Sequence, residues 1–179
     1  MDFQNIFVIK HQYGQKEMHE LALISILIFL IPLIFGHLNT LPMQFFVGTT
    51  VNFLLVLSAF YLSGWKNLFP ILLPSIAAYL TGILFGANTS FLLFFIPFIW
   101  LGNFIFVYLN KKISVGENKP YLGTIYSSIV KSFILFIPAV IIVYLKIVPE
   151  LFLIAMGPMQ LITALSGGFL ALVFNNFRK

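Results

Sequence analysis

Six runs of nearly uninterrupted apolar residues, at 20–36, 41–62, 67–85, 91–109, 125–145 and 151–174, divide this chain, with short polar or Gly/Pro breaks between them. A hydrocarbon layer about 30 Å thick is crossed by about 20 residues of helix, so each run suffices for one crossing. Charge points the same way: only 8% of the 179 residues are Asp, Glu, Lys or Arg, against about a quarter in soluble domains. That is too little to cover a surface facing water. Backbone groups in lipid must bond to one another, which makes a helix the form each run takes. The expected fold is all-α: a polytopic membrane protein forming a compact six-transmembrane-helix bundle, one membrane domain over 1–179, with a tail at 1–19.

The first run begins after a polar stretch and lacks a small-residue cleavage site, so no cleaved signal peptide is expected. Of the ten Lys and Arg, eight fall on one side of six alternating crossings: Lys10, Lys16, Lys66, Lys111, Lys112, Lys119, Arg178 and Lys179. Lys146 falls on the other side and Lys131 inside the fifth run. Basic loops are retained in the cytoplasm, which predicts a cell-membrane protein with both termini cytoplasmic and loops 36–40 and 86–90 outward. The net charge of +5 is then loop charge, and no nucleic-acid partner is expected. Phe3, Ile6, Phe7 and Lys10 recur at helical spacing before Gly14. They suit an interfacial helix lying on membrane lipid, or a short frayed tail.

Chemistry is narrowly limited. The chain has no cysteine, which removes disulfides, thiolate metal sites and cysteine nucleophiles together. His11, His19 and His37 lie in the tail or at run ends, and no carboxylate lies mid-run. There is no H-E-x-x-H, no G-x-S-x-G and no Walker A pattern. Ser166-Gly167-Gly168 has no mid-membrane histidine to activate the serine. No catalytic residue, metal or cofactor is expected, and the chain does not read as an enzyme. A proton- or sodium-coupled carrier would keep a carboxylate at mid-membrane, and none is visible.

Polar residues inside the runs are the best pointers that remain, because in hydrocarbon each must find a helix, water or a ligand. Gln44, Gly48 and Asn52 share one helical face at i, i+4 and i+8, with Thr49 beside them. Gln160 and Thr163 share a face beneath Pro158, at similar depth. Asn103 lies deep in the fourth run next to Trp100, whose ring suits a planar ligand or simple core filling. Asn88 belongs to the small polar loop 86–90, a lid or a turn. Two readings stay open for these groups: a pocket, or hydrogen bonds from helix to helix. Thr163, Gly167 and Ala171, with Ala164 and Gly168, read as a packing seam, as do Pro74, Ala78, Gly82 and Gly86. Pro32, Pro74, Pro97, Pro138 and Pro158 either bend their runs and open room between helices or are there simply because proline is commoner in membrane helices. Lys131 is read as snorkelling back to the cytoplasmic headgroups. An anionic ligand or a partner protein is the alternative, since Ser127 sits one turn earlier.

This layout resembles the substrate-binding S components of energy-coupling factor (ECF) vitamin transporters. Similar runs are Leu73-Pro74-Ser75-Ile76-Ala77-Ala78, the loop Gly86, Pro97-Phe98-Ile99-Trp100-Leu101-Gly102-Asn103, and Gly157-Pro158 through Gly167-Gly168. The resemblance covers nearly the whole chain. It implies capture of a small vitamin-like solute from the outer face and delivery with a transmembrane coupling subunit and two ATPase subunits. Family members that share one energising module carry Ala-x-x-x-Ala in the first span. Here Ala22 and Ile26 take that spacing, with Ser25 adjacent, which implies a dedicated partner or a divergent member. The binding set is then Gln44, Thr49, Asn52, Asn88, Trp100, Asn103, Gln160 and Thr163, and the docking set Ala22, Ser25, Ile26 and Lys131. The uncharged donors suit a polar neutral molecule. A second reading resembles the MreD-type multispan scaffolds of cell-shape and envelope assembly; a lipid-modifying enzyme is a third, against which the missing acid, base and nucleophile weigh. A binding component requires a hollow lined by the amides, whereas a scaffold requires them paired with no void.

Overall fold

The computed structural model describes residues 3–35, 41–82 and 85–177, and among them every regular element is helical. Seven α-helices follow in order: α1 (Phe3–Phe35), α2 (Leu41–Tyr61), α3 (Leu68–Thr81), α4 (Ile96–Leu109), α5 (Pro120–Tyr144), α6 (Leu151–Met156) and α7 (Pro158–Phe177). A 3-10 turn at Gly64–Asn67 leads into α3, a 3-10 segment at Gly86–Phe94 leads into α4, and a π-helical turn at Asn110–Gly116 ends it.

Four helical stretches among these residues are long and apolar enough to cross a membrane: Gly14–Phe35, Pro42–Tyr61, Pro120–Tyr144 and Leu151–Phe177. A fifth is available if Gly86–Phe94 and Ile96–Gly116, bent by 74°, form one broken crossing. The third run is shorter than its apolar length suggests. Its helix stops at Thr81 because Gly82 turns left-handed at φ +66° and donates its N–H to Tyr79 O. At 14 residues α3 is about 21 Å long, less than the thickness of the hydrocarbon layer. Gly82 therefore ends α3 and Gly86 (φ +56°) opens the 3-10 segment, so neither extends the packing seam, which stops at Ala78.

Two other expectations change. Gly14 does not interrupt the N-terminal helix; α1 runs through it for 33 residues. One glycine costs a helix only about 1 kcal/mol, which a helix of this length absorbs. The side chains of the Phe3–Lys10 stripe and the loop 36–40 lie outside the described residues. Pro97 and Pro158 are not interior to a helix: each sits in the first turn of its helix, where no hydrogen bond is lost, Pro97 at the 74° bend before Ile96–Gly116 and Pro158 at the junction of α6 and α7. Pro32, Pro74 and Pro138 are interior, as expected.

The helices pack in a closed ring, in the order α1, α3, α4, α5, α7, α2 and back to α1, with α6 against α5 and α7. The α2–α7 seam is the most extensive. Gly167 allows it: a Cβ there would lie 2.4 Å from Thr49 O and 2.6 Å from Phe53 N, both backbone atoms. Two apolar cores fill the ring. One joins Ile24 and Ile28 to Leu54, Leu55, Phe106 and Ala171. The other gathers Leu92, Phe95, Leu135 and Met156 around Phe152, whose ring stacks on Phe95 at 5.0 Å. Outside, Leu23, Ile26, Phe133, Ile137, Leu170 and Val173 are exposed, an apolar surface suited to lipid. At one end Glu17 accepts hydrogen bonds from Lys66 Nζ (2.6 Å) and Ser63 Oγ (2.7 Å), fastening α1 to the turn before α3.

Candidate ligand-binding cavity

Every helix of the ring contributes to one hollow. A cavity of ≈ 120 Å³ lies where the second half of α1, the first half of α2 and the start of α7 face one another, and Asn103, Ser75 and Lys131 close its far wall. For scale, an engineered cavity of about 150 Å³ accommodates benzene. Its apolar lining includes Pro32, Val47, Val51, Leu92, Ile99 and Met156.

The α2 face expected from spacing is present. Gln44, Gly48 and Asn52 line the cavity together, and across from them stand Gln160 and Thr163 of α7. Asn52 is 2% exposed and bonded on every side. Its Nδ2 donates to Gly48 O (2.9 Å) and to Thr163 Oγ1 (3.2 Å), and Thr163 Oγ1 donates onward to Met159 O (2.8 Å). Its Oδ1 accepts from Lys131 Nζ at 2.6 Å. Asn103 lines the cavity too, with its Nδ2 donating to Ile71 O at 3.0 Å. Amides that clasp neighbouring helices and a hollow beside them are thus both present.

Lys131 is the main correction. It does not snorkel: it is 2% exposed, reaches Asn52, and lies with its Nζ 4.9 Å from the centre of the Phe106 ring. The reason is where α5 begins. Pro120 opens the helix five residues before the apolar run starts, so Lys131 is about 16 Å along a helix of about 37 Å, near its middle. It also lies on the buried face, with Thr124, Ser128, Leu135 and Ala139. A stripe of small residues at 123–124 and 127–128, continued by Leu135 and Ala139, was legible at helical spacing and would have turned Lys131 inward. Lys131 therefore faces the cavity rather than a docking surface.

Three expected binding residues lie off the cavity. Thr49 is rotated out of the Gln44–Asn52 face, and its backbone carbonyl meets Gly167 in the α2–α7 seam. Asn88 belongs to the 3-10 segment, where residues three apart share a face; Thr89 and Leu92 turn inward and Asn88 does not. The loop 86–90 is accordingly the start of a helical segment rather than a simple turn. Trp100 turns toward α3, where its Nε1 donates to Ser75 Oγ (2.8 Å). It holds a lining residue and does not line the cavity itself. Ser75 was missed because a serine next to Pro74 carries no distinguishing pattern. Of the docking set, Ala22 and Ile26 are exposed on α1, while Ser25 Oγ is buried with no hydrogen-bond partner.

A second polar cluster lies at the other end of α4 and α5. Asn110 Nδ2 donates to Phe106 O (3.0 Å) and Ser127 Oγ (2.6 Å), and Asn110 Oδ1 accepts from Ser114 Oγ (3.3 Å) and Thr124 Oγ1 (3.4 Å). The π-turn brings Ser114 so close to Gly123 that a Cβ there would meet Ser114 Oγ at 2.1 Å. Ser127, expected on a docking face, is inside this cluster. Lys146 and Glu150 line a separate surface groove with Phe136 and Tyr144.

No group of three or more His, Asp or Glu side chains that could hold a metal occurs among the described residues. Comparison with protein families, characterised proteins and solved structures finds no match to this chain.

Proposed function

We propose that this chain is the substrate-binding membrane component of an ECF-type uptake transporter, capturing a small vitamin-like solute at its outer face. The observation that carries the reading is the ≈ 120 Å³ hollow, lined by Gln44, Asn52, Asn103 and Gln160 within an otherwise well-filled ring. A scaffold that only joins partners needs no such hollow, and membrane bundles otherwise fill their interiors. The chain has no nucleotide-binding pattern, so energy comes from a coupling subunit and two ATPases, with the exposed Ala22–Ile26 face of α1 as the docking surface.

In this reading the bundle crosses the cell membrane six times with both termini cytoplasmic. The third crossing is α3 extended by the 3-10 turn Gly64–Asn67, which adds about 8 Å and joins α3 through Asn67 and Leu68 in the right-handed helical region. The absence of cysteine makes orientation directly testable: a thiol introduced as Ser90→Cys is labelled from outside the cell, and one introduced as Asn118→Cys only after permeabilisation. Native mass spectrometry of the purified protein tests the function. A co-purifying small molecule, lost in Gln160→Leu, is the expected result. A wild-type protein that carries nothing, or retention of the molecule by that variant, overturns the assignment.

A further inference from the structure

We infer that the cavity selects a compact anion, and specifically a small monocarboxylate, whose charge is met by the Lys131 ammonium. The inference rests on the reading of the cavity as a solute site and replaces the neutral molecule that the amides alone suggest.

The argument is one of charge and donors. Lys131 is buried at the middle of α5 and lines the hollow. No acidic side chain among the described residues lines it with Lys131. The carboxylates among the described residues are engaged elsewhere: Glu17 with Lys66, Glu117 with Lys119, Glu20 in the groove beside Lys16 and Lys111, and Glu150 in the groove beside Lys146. An ammonium in so apolar a setting is costly unless a counter-charge meets it, and no acid among the described residues of the cavity wall supplies one.

An ammonium also carries three N–H donors. One goes to Asn52 Oδ1, and the Phe106 ring takes the electrostatic attraction of one face. Asn52 offers a dipole but no charge, and both its own N–H donors are committed to Gly48 and Thr163. The network is thus polarised: donors run from Lys131 through Asn52 and Thr163 to Met159 O, and nothing in it accepts from the cavity side of Nζ. A carboxylate there completes it, forming a charge-assisted hydrogen bond against a mostly apolar lining. The aliphatic lining takes the body of the molecule, and the volume limits that body to about one ring or a short chain.

The test is thermal stabilisation and isothermal titration of the detergent-purified full chain with matched pairs. The probes are butyrate, hexanoate and benzoate against butyramide, hexanamide and benzamide, each pair alike in shape and different in charge. The expected result is stabilisation by at least one acid and by none of the amides, with affinity falling about 100-fold in Lys131→Met. In Lys131→Gln, which retains a donor toward Asn52 without the charge, acid and amide should bind alike. Binding of amides as strongly as acids, or undiminished acid binding in Lys131→Met, overturns the anion proposal and leaves the solute site standing. Failure of every acid to bind overturns it too, and if native mass spectrometry also finds no ligand the solute site falls with it.

Discussion

Two polar clusters interrupt the apolar interior, and they differ in how their hydrogen bonds end. Around Asn110 each bond closes on the protein: amide, three hydroxyls and backbone carbonyls satisfy one another, and only Ser114 borders a groove, which it shares with Asn118 and Asn175. Around Asn52 the same kind of amide leads to a lone buried cation at the edge of a cavity. The first arrangement is what fastening two helices requires. The second leaves one terminus open, which is costly in a structure and useful in a binding site. The same residue type thus serves different ends, according to whether its network is complete.

The contrast can be broken first at the α2–α7 seam, which holds Asn52 against Thr163. Gly167→Val drives a side chain into the α2 backbone, and a cost of about 3 kcal/mol, with loss of ligand binding, is expected from thermal unfolding in detergent. Asn110→Leu separates the clusters. Removing the amide to which Ser114, Thr124 and Ser127 bond should cost about 2 kcal/mol of stability while leaving solute affinity in the folded fraction unchanged. Lys131→Met should act with the opposite sign, since replacing a buried lone charge by an apolar side chain of similar length should raise the stability of the ligand-free protein by about 1 kcal/mol. A destabilisation by Lys131→Met as large as that by Asn110→Leu would make both clusters structural. The smallest effect is expected for Trp100→Phe, which loses the bond to Ser75, about 1 kcal/mol or less, and leaves affinity unchanged.

Much of this was readable from residue order. The alternation of apolar runs and breaks gives the all-helical form, and the i, i+4, i+8 spacing of Gln44, Gly48 and Asn52 puts them on one cavity wall. The Gly167 and Gly168 seam was equally legible, because only residues without bulk allow helices so close. The 3-10 segment before α4 and the π-turn after it were not, since both look like ordinary apolar helix in composition. They decide that Asn88 turns away and that Ser114 turns in.

Hydropathy, being a sum over neighbours in the chain, was enough to establish helices, their approximate number and their fitness for lipid. Which way Lys131 points is a different kind of fact. It depends on the turn at which α5 begins and on which face α2, α4 and α7 leave covered, and those are relations among residues far apart in the chain. The cavity is of that kind as well, because a void belongs to the fit of helices against one another and to no single stretch of residues.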